Sequence, residues 1–338
     1  MYIQEVMFKM KKRGDTDKKI KHYHKLFLDI KNECKKTIVG QDRVIEGLLR
    51  GIICDGHILV EGVPGIAKTL IVKTLAKVIG GTYSRVQFTA DLLPTDITGL
   101  TIYDKTKGFS VVKGPVFSNF VIADEINRSP PKVQSALLEA MQEKQVTIGK
   151  TTYQLPLPFF VMATQNPIES AGVYNLPEAQ IDRFLFKINI YYPTSDEESE
   201  ILKKNITLYS FDDFKLKKII DPKIILDLQK FVKDIYVNKS IEKYITKIVD
   251  ATRNPDNYNI KLGKYIEWGS SPRASIGLFI ASKAEALLRG QSFVTPHHVK
   301  SIAHDVLRHR ILLNYEGQAE NISRDDIISE ILNKVPMP

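Results

Sequence analysis

The segment His57–Ala76, HILVEGVPGIAKTLIVKTLA, constrains the fold of this 338-residue chain more than any other. Its apolar start, HILVE, reads as a short buried strand, Gly62 to Gly65 as a turn, and Ala67 to Ile79 as a helix. A strand that turns directly into a helix implies an α/β fold. The turn Gly62-Val63-Pro64-Gly65-Ile66-Ala67-Lys68-Thr69 matches the phosphate-binding pattern G-x-x-x-x-G-K-[ST], except that Ala67 stands at the second glycine. In such a loop, successive backbone N–H groups and a helix N-terminus face phosphates. The lysine reaches the terminal phosphates and the hydroxyl of Thr69 takes Mg²⁺. Alanine in a first helical turn carries no backbone penalty, so Ala67 narrows the loop by a methyl without closing it.

A nucleoside-triphosphate site needs carboxylates further along the chain, and FVIADEINR supplies them. Phe120 to Ala123 form an apolar run suited to a buried parallel strand, which leaves Asp124 and Glu125 at its carboxyl end, where open α/β sheets bind ligands. There the two acids can divide the work, Asp124 on the Mg²⁺ shell and Glu125 on the attacking water. PFFVMATQNP repeats the strand logic and ends in the neutral amides Gln165 and Asn166. Between these strands, SPPKVQSALLEAMQE reads as a helix with Ser129 as N-cap and Pro130 in first position, burying Val133, Leu137, Leu138 and Met141.

Composition sets the outer limits. A 43% hydrophobic chain of this length can bury a large core, and no apolar run approaches the roughly 18 residues of a membrane span, which suggests a cytoplasmic protein. Cys34 and Cys54 lack metal-ligand spacing and read as plain thiols. The net charge is +9, and residues 1–25 hold eight Lys or Arg against three Asp or Glu. KMKKRGDTDKK has no apolar periodicity and reads as a solvated, partly disordered basic arm. After Pro193 amphipathic helical patterns take over, which predicts three regions: the arm 1–19, an α/β core 20–193 and an all-helical domain 194–338. Within ASIGLFIASKAEALL, Ile276, Phe279, Ile280, Ala284 and Leu287 are expected to line the buried face, leaving Arg273 at the helix start beside the interdomain cleft. The turn-rich NPDNYNIKLGKYIEWGS reads as a loop anchored by Trp268. His297 and His298 read as a solvated helix face, and His309 has no assigned role. TIYDKTKGFSVV and VTIGKTTYQL read as hairpins that extend the sheet.

The order of these motifs resembles the AAA+ ATPases, and the wording of EGVPGIAKT, ADEINRSPPKVQSALLEAMQE, ATQNPIE, LPEAQIDRF and SPRA is similar to the MoxR family. The resemblance runs from about Ile38 to the C-terminus, and Ala67 is common in that family. It implies a P-loop NTPase domain with a parallel sheet flanked by helices, followed by a helical lid. It also implies ATP and Mg²⁺ as ligands, with Val39, Gly40 and Gln41 in IVGQ at the adenine and Gly62 to Leu70 around the phosphates. Asn166 matches the sensor-1 position, Arg183 the arginine finger and Arg273 the sensor-2 arginine. A finger that completes a neighbour's site implies a homo-oligomer, typically a hexameric ring. The same resemblance implies chaperone-like maturation of client complexes alongside von Willebrand factor A domain proteins. It gives the two hairpins a second reading, as insertions that contact partners or the central pore. Two other readings fit parts of the chain. A nucleic-acid-directed AAA+ motor would use the basic arm, while a P-loop kinase gives no use for Arg183 or Arg273.

Overall fold

Short β-branched and aromatic runs alternate with helices through the first two thirds of the chain and build a parallel sheet. The computed structural model describes residues 2–62, 68–106, 108–166, 172–204 and 211–338. Contacts divide it into two units, residues 30–226 and residues 1–29 with 227–338.

The first unit contains α2 (Asp42–Ile53), β1 (Ile58–Gly62), α3 (Lys68–Ile79), β2 (Tyr83–Gln87), α4 (Pro94–Thr98), the hairpin β3 (Gly99–Asp104) and β4 (Gly108–Lys113), and β5 (Phe120–Asp124). It continues through α5 (Pro131–Glu143), the hairpin β6 (Gln145–Ile148) and β7 (Thr151–Gln154), β8 (Phe160–Gln165), α6 (Glu178–Ile181), β9 (Phe186–Ile190) and α7 (Ser195–Lys204). Five strands form one sheet in the order β2-β5-β8-β1-β9, every pair parallel. The chain therefore reverses its direction of travel at β1 and β8, and the crevice outside their carboxyl ends is where such sheets take ligands. Leu59, Val121, Ala123, Val161 and Ala163 point from one face into a core shared with Leu137, Leu138 and Met141 of α5. On α2, Gly47 lies under Ile188 and Gly51 under Ile58, so the absence of side chains there lets that helix sit close to the sheet. His57, just before β1, ties strand to helix: its Nδ1 accepts from the Val161 amide at 3.0 Å and its Nε2 donates to the Met141 carbonyl at 3.0 Å.

Both hairpins form two-stranded sheets of their own instead of extending the main one. The helix after the carboxylates starts at Pro131, one residue later than expected, with Pro130 as N-cap. Ser129 is not its cap; the Ser129 hydroxyl donates back to the Ile126 carbonyl at 3.2 Å, closing the preceding 3-10 turn.

The second unit draws on both ends of the chain. Residues 2–29 belong to α1 (Tyr2–Cys34), a continuous helix where the sequence suggested a loose arm. Ile20, Phe27, Ile30 and Cys34 recur at helical spacing and are buried, and packing of that face supplies the helix stability that propensity alone does not, since Gly14, Asp15, Thr16 and Asp17 are poor helix formers. Tyr23 packs on Phe231 at 5.1 Å between ring centroids, and His24 Nδ1 bonds the Leu288 carbonyl at 2.8 Å. The divisions therefore fall near residues 29 and 226, where charge and composition had suggested 19 and 193. α8 (Pro222–Phe231) spans the second boundary, and α9 (Lys239–Arg253), α10 (Pro272–Leu288), α11 (Pro296–Leu307), α12 (Tyr315–Ala319) and α13 (Arg324–Lys334) follow.

This unit is not all helix: β10 (Ile266–Trp268) pairs antiparallel with β11 (Leu312–Leu313). The segment read as a loop holds β10 and two 3-10 turns, and Trp268 is 66% exposed, so it does not anchor the segment. The buried side of α10 is the expected one only in part: Ala284 and Leu287 are buried, but Ile276 is 67% exposed while Ala274, Gly277, Leu278 and Ala281 are buried. Small residues let neighbouring helices approach there, which outweighs the larger apolar side chains one position away. His298 is buried rather than solvated. Its Nδ1 accepts from the Thr295 amide at 3.1 Å, capping α11, and burial lowers its pKa. Arg308 closes the end of α11 onto α13 through Asp305 at 3.0 Å and Asp325 at 2.8 Å. Among the described residues no helix is long and apolar enough to cross a membrane.

Candidate active site

Strand register brings the expected residues to one edge. Glu61 pairs with Gln165, Ala123 with Ala163, and Gln87 with Asp124, so the carboxyl ends of β1, β8, β5 and β2 stand side by side. Lys68 opens α3 directly beyond β1, and its ammonium donates to the Gly62 carbonyl. Burial lowers the Lys68 pKa, opposed by the negative charges of Asp124, Glu125 and Glu61. Thr69 follows in the first turn of α3. Val63, Pro64, Gly65, Ile66 and Ala67, the centre of the expected phosphate loop, lie outside the described residues.

Asp124 ends β5, and Glu125 departs from it with φ 57° and ψ 51°, a left-handed conformation that costs a residue with a side chain about 1–2 kcal/mol. Strain of this kind persists where surrounding bonds over-determine it. The Glu125 amide donates to Thr164 Oγ1 at 2.8 Å, and the same hydroxyl donates to Asp124 Oδ1 at 2.7 Å. The other Asp124 oxygen, Oδ2, accepts from Arg85 Nη2 at 2.7 Å and Nε at 3.2 Å. Glu125 Oε2 accepts from Gln87 Nε2 at 2.8 Å and from Arg128 Nη1 at 3.2 Å. Arg85 and Arg128 are about half exposed, so these ion pairs are readily exchanged for another cation or for solvent. Asn166 follows β8 and is buried.

The expected adenine segment lies in the same unit. Ile38 and Val39 are buried, and Gly40 adopts φ +72° with the Glu197 carboxylate against its backbone, so any Cβ would clash with that group. Gln41 is the N-cap position of α2. Thr37 Oγ1 lies 3.0 Å from Thr74 Oγ1, fastening this segment to α3.

The two expected arginines are carried by other parts of the chain. Arg183 precedes β9, next to where the Leu185 amide bonds the His57 carbonyl, and so belongs to the amino edge of the sheet. The ladder from Ile58–Phe186 to Gly62–Ile190 puts roughly 13 Å of strand between it and the carboxyl edge. It lines a groove of about 320 Å³ with Ser135, Glu139, Gln142, Glu143 and Gln180. Arg273 occupies the first turn of α10 in the other unit, exposed, its amide donating to Ser271 Oγ at 3.2 Å.

The chain is similar to known proteins over most of its length. Residues 57–186 match the ATPase family associated with various cellular activities (AAA), and residues 263–331 match the AAA lid domain. The chaperone MoxR1 of Mycobacterium tuberculosis is 48% identical over 308 residues, which covers 90% of this chain and 81% of that protein. The chain belongs to the MoxR family of AAA+ ATPases. Another relative of this MoxR-family chain, the uncharacterized protein YeaC of Bacillus subtilis, is 42% identical over 90% of this chain and 92% of its own length. A crystal structure of a presumed ATPase from Cytophaga hutchinsonii superposes with a TM-score of 0.90 at 46% identity, covering 98% of this chain and 99% of that one.

Sequence reasoning about the MoxR-family site missed Thr164, Arg85 and Gln87. Thr164 reads as one more residue of an apolar strand, and only the parallel pairing of β5 with β8 brings its hydroxyl to the two acids. Arg85 and Gln87 alternate along β2 and so share a face, a weak period-two signal that gains meaning only once β2 lies beside β5.

Proposed function

We propose that this MoxR-family protein binds and hydrolyses ATP with Mg²⁺ in the cytoplasm and uses the cycle to remodel or mature a client protein complex. The observation that carries the reading is the Asp124–Glu125 pair at the strand edge beside Lys68 and Asn166. The donor set suits Mg²⁺, because the Thr69 hydroxyl and the Asp124 carboxylate are hard oxygen ligands, and Arg85 already marks Asp124 Oδ2 as a cation site. Bound there, the ion would neutralise charge on the β- and γ-phosphates. The backbone of Gly62 to Ala67 and the start of α3 to Leu70 would cradle the phosphates, and Val39, Gly40 and Gln41 would take the adenine. Lys68 would move its ammonium from the Gly62 carbonyl to the terminal phosphates. Glu125, released from Gln87 and Arg128, would orient and polarise water, with Asn166 holding the γ-phosphate or the same water. Arg273 would contribute a cation from the lid.

Arg183 precedes β9, at the edge of the sheet opposite the two acids, which favours its use in a neighbour's site and so a homo-oligomer, a hexameric ring in this reading. The chaperone designation of the Mycobacterium tuberculosis relative supports the client role. A von Willebrand factor A domain protein as adaptor is carried by family resemblance. Glu125→Gln tests the chemistry: it should retain binding of a fluorescent ATP analogue with Mg²⁺ and lose turnover by roughly 10²-fold or more. Wild-type turnover in that variant would remove Glu125 from the reaction.

A further inference from the structure

Thr164 is a buried polar side chain at the site edge, 1% exposed, and its two hydrogen bonds leave it no choice of orientation. The Glu125 amide can only donate, so the Thr164 oxygen must accept there, at 2.8 Å. The hydroxyl proton is then committed to Asp124 Oδ1, at 2.7 Å. These bonds take over where the backbone ladder stops, since β5 and β8 pair as far as Ala123 and Ala163. Beyond that point Asp124 and Glu125 leave the sheet, and Glu125 turns into its left-handed conformation.

We infer that Thr164 is a positioning residue for hydrolysis, holding the metal-side acid and the water-side acid in one fixed relation; this rests on the ATPase reading of the site. Arg85 grips Asp124 Oδ2 from solvent and must yield when a cation arrives. Thr164 grips Oδ1 from the protein interior and keeps the plane of the carboxylate through that exchange. Its bond to the Glu125 amide fixes the peptide from which the second carboxylate is aimed. Asn166 lies two residues further along the same strand direction. A shift of the β8 end on engaging a γ-phosphate would therefore carry Thr164, and with it both acids.

The test compares wild type, Thr164→Val, which keeps the shape and removes the hydroxyl, and Thr164→Ser, which restores it. Steady-state ATP turnover, affinity for a fluorescent ATP analogue with Mg²⁺ and the thermal midpoint are measured for each. The valine variant should lose kcat by roughly 10- to 100-fold while KM and analogue affinity stay within about threefold, the split expected when only the reacting geometry is disturbed. Serine should recover most of kcat. Thr164→Val at the wild-type rate, Thr164→Ser as slow as Thr164→Val, or a rate loss accompanied by equal loss of nucleotide affinity and a collapsed thermal midpoint would each overturn the inference while leaving the ATPase reading intact. A wild-type protein that binds no ATP would overturn both.

Discussion

At the residue scale, His57 shows how one side chain can hold a sheet to a helix and make stability depend on pH. Its Nδ1 must stay unprotonated to accept the Val161 amide, and burial pulls its pKa down to about 4 from 6.5. The folded state therefore favours the neutral ring. Its contribution is complete above pH 6.5, declines as pH falls and is gone below about pH 4, a span worth about 3 kcal/mol. Chemical denaturation between pH 7 and pH 4 should show stability falling with pH more steeply in wild type than in His57→Gln. Parallel slopes would mean the ring titrates alike folded and unfolded. The cysteines are residue-scale features of another sort. Burial pushes the Cys34 thiol up to about 12 and raises Cys54 as well, so both are poor nucleophiles.

At the scale of elements, the β3–β4 hairpin presents what its sequence concealed. Tyr103 and Phe109 are separated by a turn in the chain, but antiparallel register makes them direct partners, with ring centroids 5.0 Å apart. They are 65% and 79% exposed. An apolar pair on an exposed hairpin suits contact with another polypeptide. Tyr103→Ser with Phe109→Ser should leave basal ATP turnover and the thermal midpoint unchanged, because little burial is lost. The doubly substituted protein should lose the turnover response to an unfolded polypeptide such as reduced, carboxymethylated lactalbumin; an unaltered response would exclude the hairpin from client contact. Elements were unequally legible beforehand. β1, β5 and β8 each open on a run of at least three apolar residues and reach their polar residues only toward the carboxyl end, so their positions follow from local pattern. The buried face of α10 followed only at Ala284 and Leu287; elsewhere small residues such as Ala274, Gly277 and Ala281 are buried, and hydrophobicity does not register them.

At the scale of the whole molecule, the proposed use of Arg183 in a neighbour's site would make activity a property of the assembly. Arg183→Ala should lose turnover by about 10³-fold or more, the range of arginine fingers elsewhere, and wild-type turnover per subunit should rise with protein concentration. Mixing Arg183→Ala with Glu125→Gln should restore part of the rate, since one supplies the acid and the other the arginine. No recovery, together with concentration-independent wild-type turnover, would place each complete site within one chain. The sequence by itself determined the strand ending at Gly62, the helix opening at Lys68, the acids at the end of β5 and the class of sheet, because each depends on residues adjacent in the chain. Only the tertiary structure decided what surrounds them. Thr164 and Arg85 meet Asp124 across neighbouring strands, Glu197 meets Gly40 from α7, and α1 joins the C-terminal helices, because strand order and helix packing join residues that no local pattern relates.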